Sequence, residues 1–85
     1  MATSYTVFVK EEAFASLPKS GSQRRLVMDF LRKLRDNPFQ RGDYIEPDVL
    51  GRPNEVKVVG LYAVVYWADH AVKEVKVMDI KLADR

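Results

Sequence analysis

The chain of 85 residues predicts an α+β fold: a small antiparallel four-stranded sheet with a two-helix hairpin packed on one face, in the order β-α-α-β-β-β. Three β-branched and aromatic runs between Asn54 and Ile80 (NEVKVV, LYAVVYW and AVKEVKVMDI) follow one another with almost no linker. Strands joined so tightly pair antiparallel, because a parallel return needs a crossover of about a dozen residues. Leu26, Val27, Phe30, Leu31 and Leu34 recur at the spacing of one helix face. The run YTVFV, Tyr5 to Val9, supplies the remaining strand.

After that strand, Glu11 to Leu17 predicts a short first helix. Glu11 and Glu12 suit the positive end of its dipole, Phe14 and Leu17 face inward, and Pro18 ends it. Ser20 and Gln23 have capping-box spacing for a second helix. That helix carries the apolar stripe, turns Arg25, Arg32 and Lys33 elsewhere, and stops at Asn37-Pro38. Pro38 to Pro53 then forms a long connection rich in glycine and proline, of the kind that is usually functional or mobile. A turn over Ala68 to Ala71 joins the last two strands.

One domain spans residues 1–85, small enough for a binding partner to add appreciably to its stability. No apolar run approaches the length of a membrane span, and no secretion signal is evident at the start. The absence of cysteine removes thiolate nucleophiles and thiolate metal sites and fits a reducing cytoplasm. With one histidine and scattered carboxylates, no metal or other cofactor is expected. Charge is uneven: Lys19 to Arg35 holds six cations against Asp29, whereas Asp43 to Glu55 holds four acids against Arg52. A basic helix beside an acidic loop could steer an acidic partner or a phosphate backbone, and the plainer reading is a solvated helix face.

Alternation sorts the strand side chains between two faces. If the apolar set Val56, Val58, Val64, Val75 and Val77 meets the helices with the tyrosine rings, the outer face holds Lys57, Lys76, Trp67, Val65 and Met78. On the same alternation, Ile80 falls outward with Met78. Such a mixed aromatic, aliphatic and cationic surface suits a peptide or nucleic-acid partner, with Trp67, Val65 and Met78 as partner contacts. The plainer alternative is that the C-terminal tail or a second copy of the chain covers this face. Tyr62 and Tyr66 read as core rings with satisfied hydroxyls rather than as base-stacking platforms.

The two-helix segment from Phe14 to Asn37-Pro38, the loop pair Gly51-Arg52, the strand Val56-Lys57-Val58 and the Tyr62 to Tyr66 strand (Y-x-V-V-Y) together resemble the RelE/ParE family of bacterial toxins. The resemblance implies the toxin of a type II toxin-antitoxin system, cytoplasmic, bound by a cognate protein antitoxin and forming a homodimer when the antitoxin is absent. It further implies either cutting of mRNA on the ribosome or, in the ParE branch, an attack on DNA gyrase. A detoxified relative that still binds antitoxin is the third reading.

Metal-independent RNA cleavage turns the 2′-hydroxyl on the adjacent phosphate, so it needs a base, an acid and cations around the phosphorane. By the resemblance, Lys57 matches a second-strand lysine, Glu55 stands where another cation is often found, and Ala63 replaces the third-strand arginine. No tyrosine or histidine follows the last strand before the final residue, Arg85. Lys57, Glu46 and His70 are therefore the candidate catalytic groups of an incomplete set. Glu46 precedes Pro47 as in one ribonuclease branch, and His70, the one histidine, stands beside Asp69 in the turn. Arg52, Lys57, Lys76, Lys81 and Arg85 are the candidate phosphate-binding cations.

Overall fold

The computed structural model describes residues 4–83. Its elements are β1 (Thr6–Val9), a 3₁₀ helix (Glu11–Ser16), α1 (Ser22–Asp36), β2 (Tyr44–Pro47), β3 (Pro53–Val59), β4 (Tyr62–Asp69) and β5 (Glu74–Leu82). They form one mixed sheet in the order β1-β5-β4-β3-β2. The β3-β4-β5 meander is antiparallel, as the short linkers demand. In strand number and pairing, two features differ from the sequence expectation. A fifth strand, β2, lies within the long connection and forms a hairpin with β3, and β1 runs parallel to β5 at the opposite edge. The helices between β1 and the meander supply the crossover that makes a parallel pairing possible.

The expected hairpin of two α-helices is one short 3₁₀ segment followed by α1. Its C-cap Leu17 closes onto Phe14 before Pro18, which has no N–H to extend the segment. The capping box is also replaced: the N-cap of α1 is Gly21, at φ 96°, with no side-chain cap. Gln23 turns instead to the sheet, where its Oε1 accepts a hydrogen bond from the Leu61 N–H at 2.9 Å. A long-range partner has displaced a local one. Val27, Phe30, Leu31 and Leu34 are buried against the sheet, while Leu26, at the margin of the stripe, is exposed.

Beneath α1 the main core gathers Tyr62, Val64 and Tyr66 of β4 with Val75, Val77 and Ile80 of β5. Ile80 contradicts simple alternation, and the register explains why. Tyr66 faces Val77 but Val65 faces Asp79, so Met78 is an extra residue on β5. That bulge inverts the parity beyond it and carries Ile80 to the helix side. Val56 contradicts the expectation differently. Paired with Val65, it lies on the outer face, where Val56, Ala63 and Val65 form a second small cluster with Met78 and Ala83. Val58, paired with Ala63, shares that outer face and stays exposed. Lys57, opposite Val64, is on the helix side. The tyrosine hydroxyls do find acceptors: Tyr62 donates to the Ser16 carbonyl at 3.2 Å and Tyr66 to the Gln40 carbonyl at 2.9 Å.

Gly42 fixes the entry into β2 by close approach rather than by an unusual dihedral. A Cβ placed there would stand 2.5 Å from the Val56 carbonyl oxygen and 2.7 Å from its nitrogen. The clash is with backbone, which cannot swing aside as a side-chain tip can. Gly42→Ala is therefore expected to destabilise the fold by about 1–3 kcal/mol, the range for overpacking. Urea unfolding measures this, and a change below about 0.5 kcal/mol, the scatter of ordinary surface substitutions, would show that the β2–β3 approach is not tight.

No helix among the described residues is long and apolar enough to cross a membrane.

Candidate binding face

Lys81 on β5 and Glu46 on β2 come from strands three places apart in the sheet, yet their ammonium and carboxylate groups meet at 3.2 Å. The sheet must curl to allow this, so its helix-free face is concave. Under that concavity Val56, Ala63 and Val65 are only 0%, 1% and 4% exposed. Ala63 is the register partner of Lys81, and its small side chain leaves the floor low there.

Further along the same face, Trp67 lies opposite Lys76. The Arg52 guanidinium stands 4.2 Å from its ring centroid and the Lys76 Nζ 4.9 Å, both within cation–π range. Arg52 is placed by a rigid loop. Asp48 Oδ1 accepts from the Leu50 and Arg52 N–H groups, each at 2.9 Å, and Gly51 takes φ 82° to close the turn. The Trp67 Nε1 and the Asn54 Oδ1 are both buried without a hydrogen-bond partner among the described residues.

The cations of this face are engaged. Arg52 lies 3.9 Å from Asp48, Lys76 lies 3.5 Å from Asp69 and 3.7 Å from Glu74, and Lys81 holds Glu46. Asp79, opposite Val65, adds a further carboxylate. A polyanion approaching here would compete with carboxylates at every cation, which works against the charge-neutralising binding that nucleic acids require. The contrast is α1, where Arg25 and Lys33 form no ion pair among the described residues.

On the helix side, the loop before β2 lies along β3 from Glu55 to Val58. Asp43 Oδ2 accepts from the Val58 N–H at 2.8 Å and its Oδ1 from the Lys57 ammonium at 3.3 Å. The backbone hydrogen bond first, and Lys57 second, hold the Asp43 carboxyl below its ordinary range. Glu55 accepts from the Arg41 Nε at 3.0 Å and the Gly42 N–H at 2.7 Å. Beside this lattice a groove of about 520 Å³ is lined by Phe39, Arg41, Glu55, Tyr66, Trp67 and His70. Here His70 stacks on Phe39 at 4.5 Å between ring centroids, and its Nδ1 lies 2.8 Å from the Tyr5 hydroxyl.

The three residues read as catalytic do not converge. Lys57 is on the helix side of β3, Glu46 is on the outer face of β2 and tied to Lys81, and His70 sits in the turn after β4 within an aromatic cluster. Of the phosphate-binding set, the fold gathers Arg52 and Lys76 on Trp67, occupies Lys81 with Glu46, and separates Lys57 from them; Arg85 lies outside the described residues. Of the partner contacts, Trp67 and Met78 are partly exposed, whereas Val65 is buried in the outer cluster and offers a partner little surface. Sequence reasoning missed Asn54, the turn-closing role of Asp48 and the pairing of Arg41 with Glu55. The turn sequence Asp48-Val49-Leu50-Gly51 carried a signal for Asp48, since aspartate folds back on its own backbone in such turns. Asn54 carried none.

Among the described residues, no three His, Cys, Asp or Glu side chains gather to hold a metal ion. No protein-family model matches the chain, and no curated protein matches it in sequence. The fold does match. A chain in the crystal structure of the archaeal RelE–RelB complex from Pyrococcus horikoshii OT3 superposes with a TM-score of 0.72, over 98% of this chain and 99% of that one, at 22% identity. The architecture is RelE-like.

Proposed function

We propose that this chain is the toxin-like partner of a type II toxin-antitoxin pair, acting in the bacterial cytoplasm, and that it works by binding proteins rather than by cutting RNA. The RelE-like fold motivates the first half, since the matching structure is of a complex between RelE and RelB. One observation carries the second. Val56 and Val58, not Lys57, share the concave face with Ala63 and Lys81. A surface that must hold a phosphorane needs convergent cations and a proton-transfer pair. This one presents valine and alanine at its centre and pairs each cation with a carboxylate.

The protein encoded beside this chain's gene is the antitoxin candidate. DNA gyrase is a target consistent with a non-nucleolytic role, and a non-toxic relative that only binds antitoxin shares the same chemistry. Growth on induced expression separates these two, because the non-toxic relative leaves growth unaffected.

The test of the binding reading is to map mRNA 5′ ends in cells expressing the chain, alone and as Lys57→Ala. No new ends are expected with either, and any growth defect should persist in the variant. Fresh ribosome-dependent cleavage that disappears in Lys57→Ala would overturn the proposal and restore the nuclease reading.

A further inference from the structure

The hairpin between β2 and β3 breaks the residue rule of its own turn. The Asp48 carbonyl accepts from the Gly51 N–H at 2.9 Å, which puts Val49 and Leu50 at the two central positions. Those positions ordinarily take Pro, Asp, Asn, Ser or Gly, residues that suit the turn backbone. Here they hold the two most exposed large apolar side chains among the described residues, with Val49 fully exposed and Leu50 81% exposed. Neither joins the main core or the outer cluster. Phe39, next in exposure, stacks on His70 and so has a structural reason for its place. A local rule broken with no gain in packing points to function rather than to folding.

The tip is also stiff. Pro47 and Pro53 face each other across its base and fix the backbone of both arms. The Asp48 N–H donates to the Arg52 carbonyl at 2.9 Å, and the Asp48 carboxylate accepts from the Leu50 and Arg52 N–H groups. A preformed protrusion loses little conformational entropy on binding, so more of its apolar burial survives as affinity.

Charge and shape select the occupant. The four acids from Asp43 to Glu55 each hold a cation of this chain: Asp43 with Lys57 at 3.3 Å, Glu46 with Lys81 at 3.2 Å, Asp48 with Arg52 at 3.9 Å and Glu55 with Arg41 at 3.0 Å. The hairpin therefore lacks the free cations by which a protein holds a phosphate backbone or an anionic membrane surface. A second copy meeting tip to tip would join only four apolar side chains, far short of the about 800 Å² a side of a stable interface. An added strand or helix presents a ridge, which gives a protruding tip nothing to enter. A folded protein with a preformed hollow does.

We infer that Val49 and Leu50 form an apolar anchor that inserts into a hydrophobic pocket on a folded target protein, distinct from the antitoxin candidate. This rests on the protein-binding reading above and names the part of the chain that holds the target.

The test expresses the full chain as Val49→Ser, Leu50→Asn and as the apolar control Val49→Ile, Leu50→Met. Serine and asparagine suit the turn, so the urea midpoint of the polar variant should hold or rise while its function falls. Removing an anchor of hot-spot strength weakens binding by about thirtyfold or more, so about thirtyfold more of the polar variant should be needed for the same growth arrest. The apolar control should arrest growth as the parent does, and both variants should bind the protein encoded beside the gene as the parent does. Arrest by the polar variant at the parent's level, without new mRNA 5′ ends, would overturn the anchor and leave the binding reading standing. Arrest with fresh ribosome-dependent ends would remove that reading as well. A lowered midpoint would mean that the two side chains pack against this fold, and lost binding to the neighbouring protein would assign the tip to the antitoxin candidate. A parent chain that leaves growth unaffected would leave the tip without a target. Each of these three overturns the inference. With a photo-crosslinking side chain in place of Leu50, the adduct should be to another protein, and adducts to nucleic acid, lipid or a second copy instead would overturn it too.

Discussion

Tyr66→Ala is expected to lower the unfolding free energy by about 3–5 kcal/mol, the range for deleting a large buried aromatic. Tyr66 is 1% exposed and packs edge-on to Phe30, with ring centroids 5.7 Å apart. Its hydroxyl also donates to the Gln40 carbonyl at 2.9 Å. The substitution thus opens a cavity and frees the loop that positions Arg41, Gly42 and Asp43 over β3. Total stability for a chain of this length is about 4–13 kcal/mol, so the loss is a large share of it. Tyr66→Phe keeps the ring and should cost only about 1 kcal/mol. Urea denaturation separates the two, and a loss below about 1 kcal/mol for the alanine variant would mean that the loop, not the core, holds this ring.

What the sequence disclosed and what it hid follow one physical division. The meander and α1 were legible because tight linkers and a helical stripe admit few alternatives. The assignment of strand faces was not. Hydrophobic patterning names a buried face only when the other face is solvated, and here both faces bury aliphatic side chains: Val64 under the helix, Val56 and Val65 under the Glu46–Lys81 arch. The pattern therefore placed Val56 beneath the helices and Lys57 outside, the reverse of what the register gives. Met78 added a second inversion that no local signal announces, because a bulge is defined by the neighbouring strand. Edge strand β2, only four residues long and ending in proline, lies below the threshold of any strand pattern.

The same inversion decides how much of the site was legible. Arg52, Trp67 and Lys76 were singled out by residue type, and they do meet. Glu46 and Lys81 were singled out for opposite chemical tasks, as base and as phosphate ligand, and the fold gives each to the other. A list of charged residues cannot reveal that they neutralise one another. Only the curl of the sheet does, and it depends on strand order and twist rather than on any one side chain.

Alkaline pH offers the second large effect, and its sign is fixed by Tyr66. Burial pushes the Tyr66 hydroxyl up to about 12, from an ordinary value of 10.0, and the Glu55 and Asp43 carboxylates push the same way. The folded chain therefore keeps a proton that the unfolded chain releases. Its contribution to stability is fully present below about pH 10 and is lost as the pH rises through about 12, a fall of about 3 kcal/mol across that window. Tyr66→Phe has no such proton to lose. It should be the less stable protein at pH 8, by about the value of one hydrogen bond, and the more stable one at pH 12, with the two curves crossing between. The remaining tyrosines are common to both proteins and cancel in the difference. Urea midpoints from pH 8 to 12 measure it, and parallel curves would mean that the Tyr66 hydroxyl ionises as readily folded as unfolded, contradicting its burial beneath the loop.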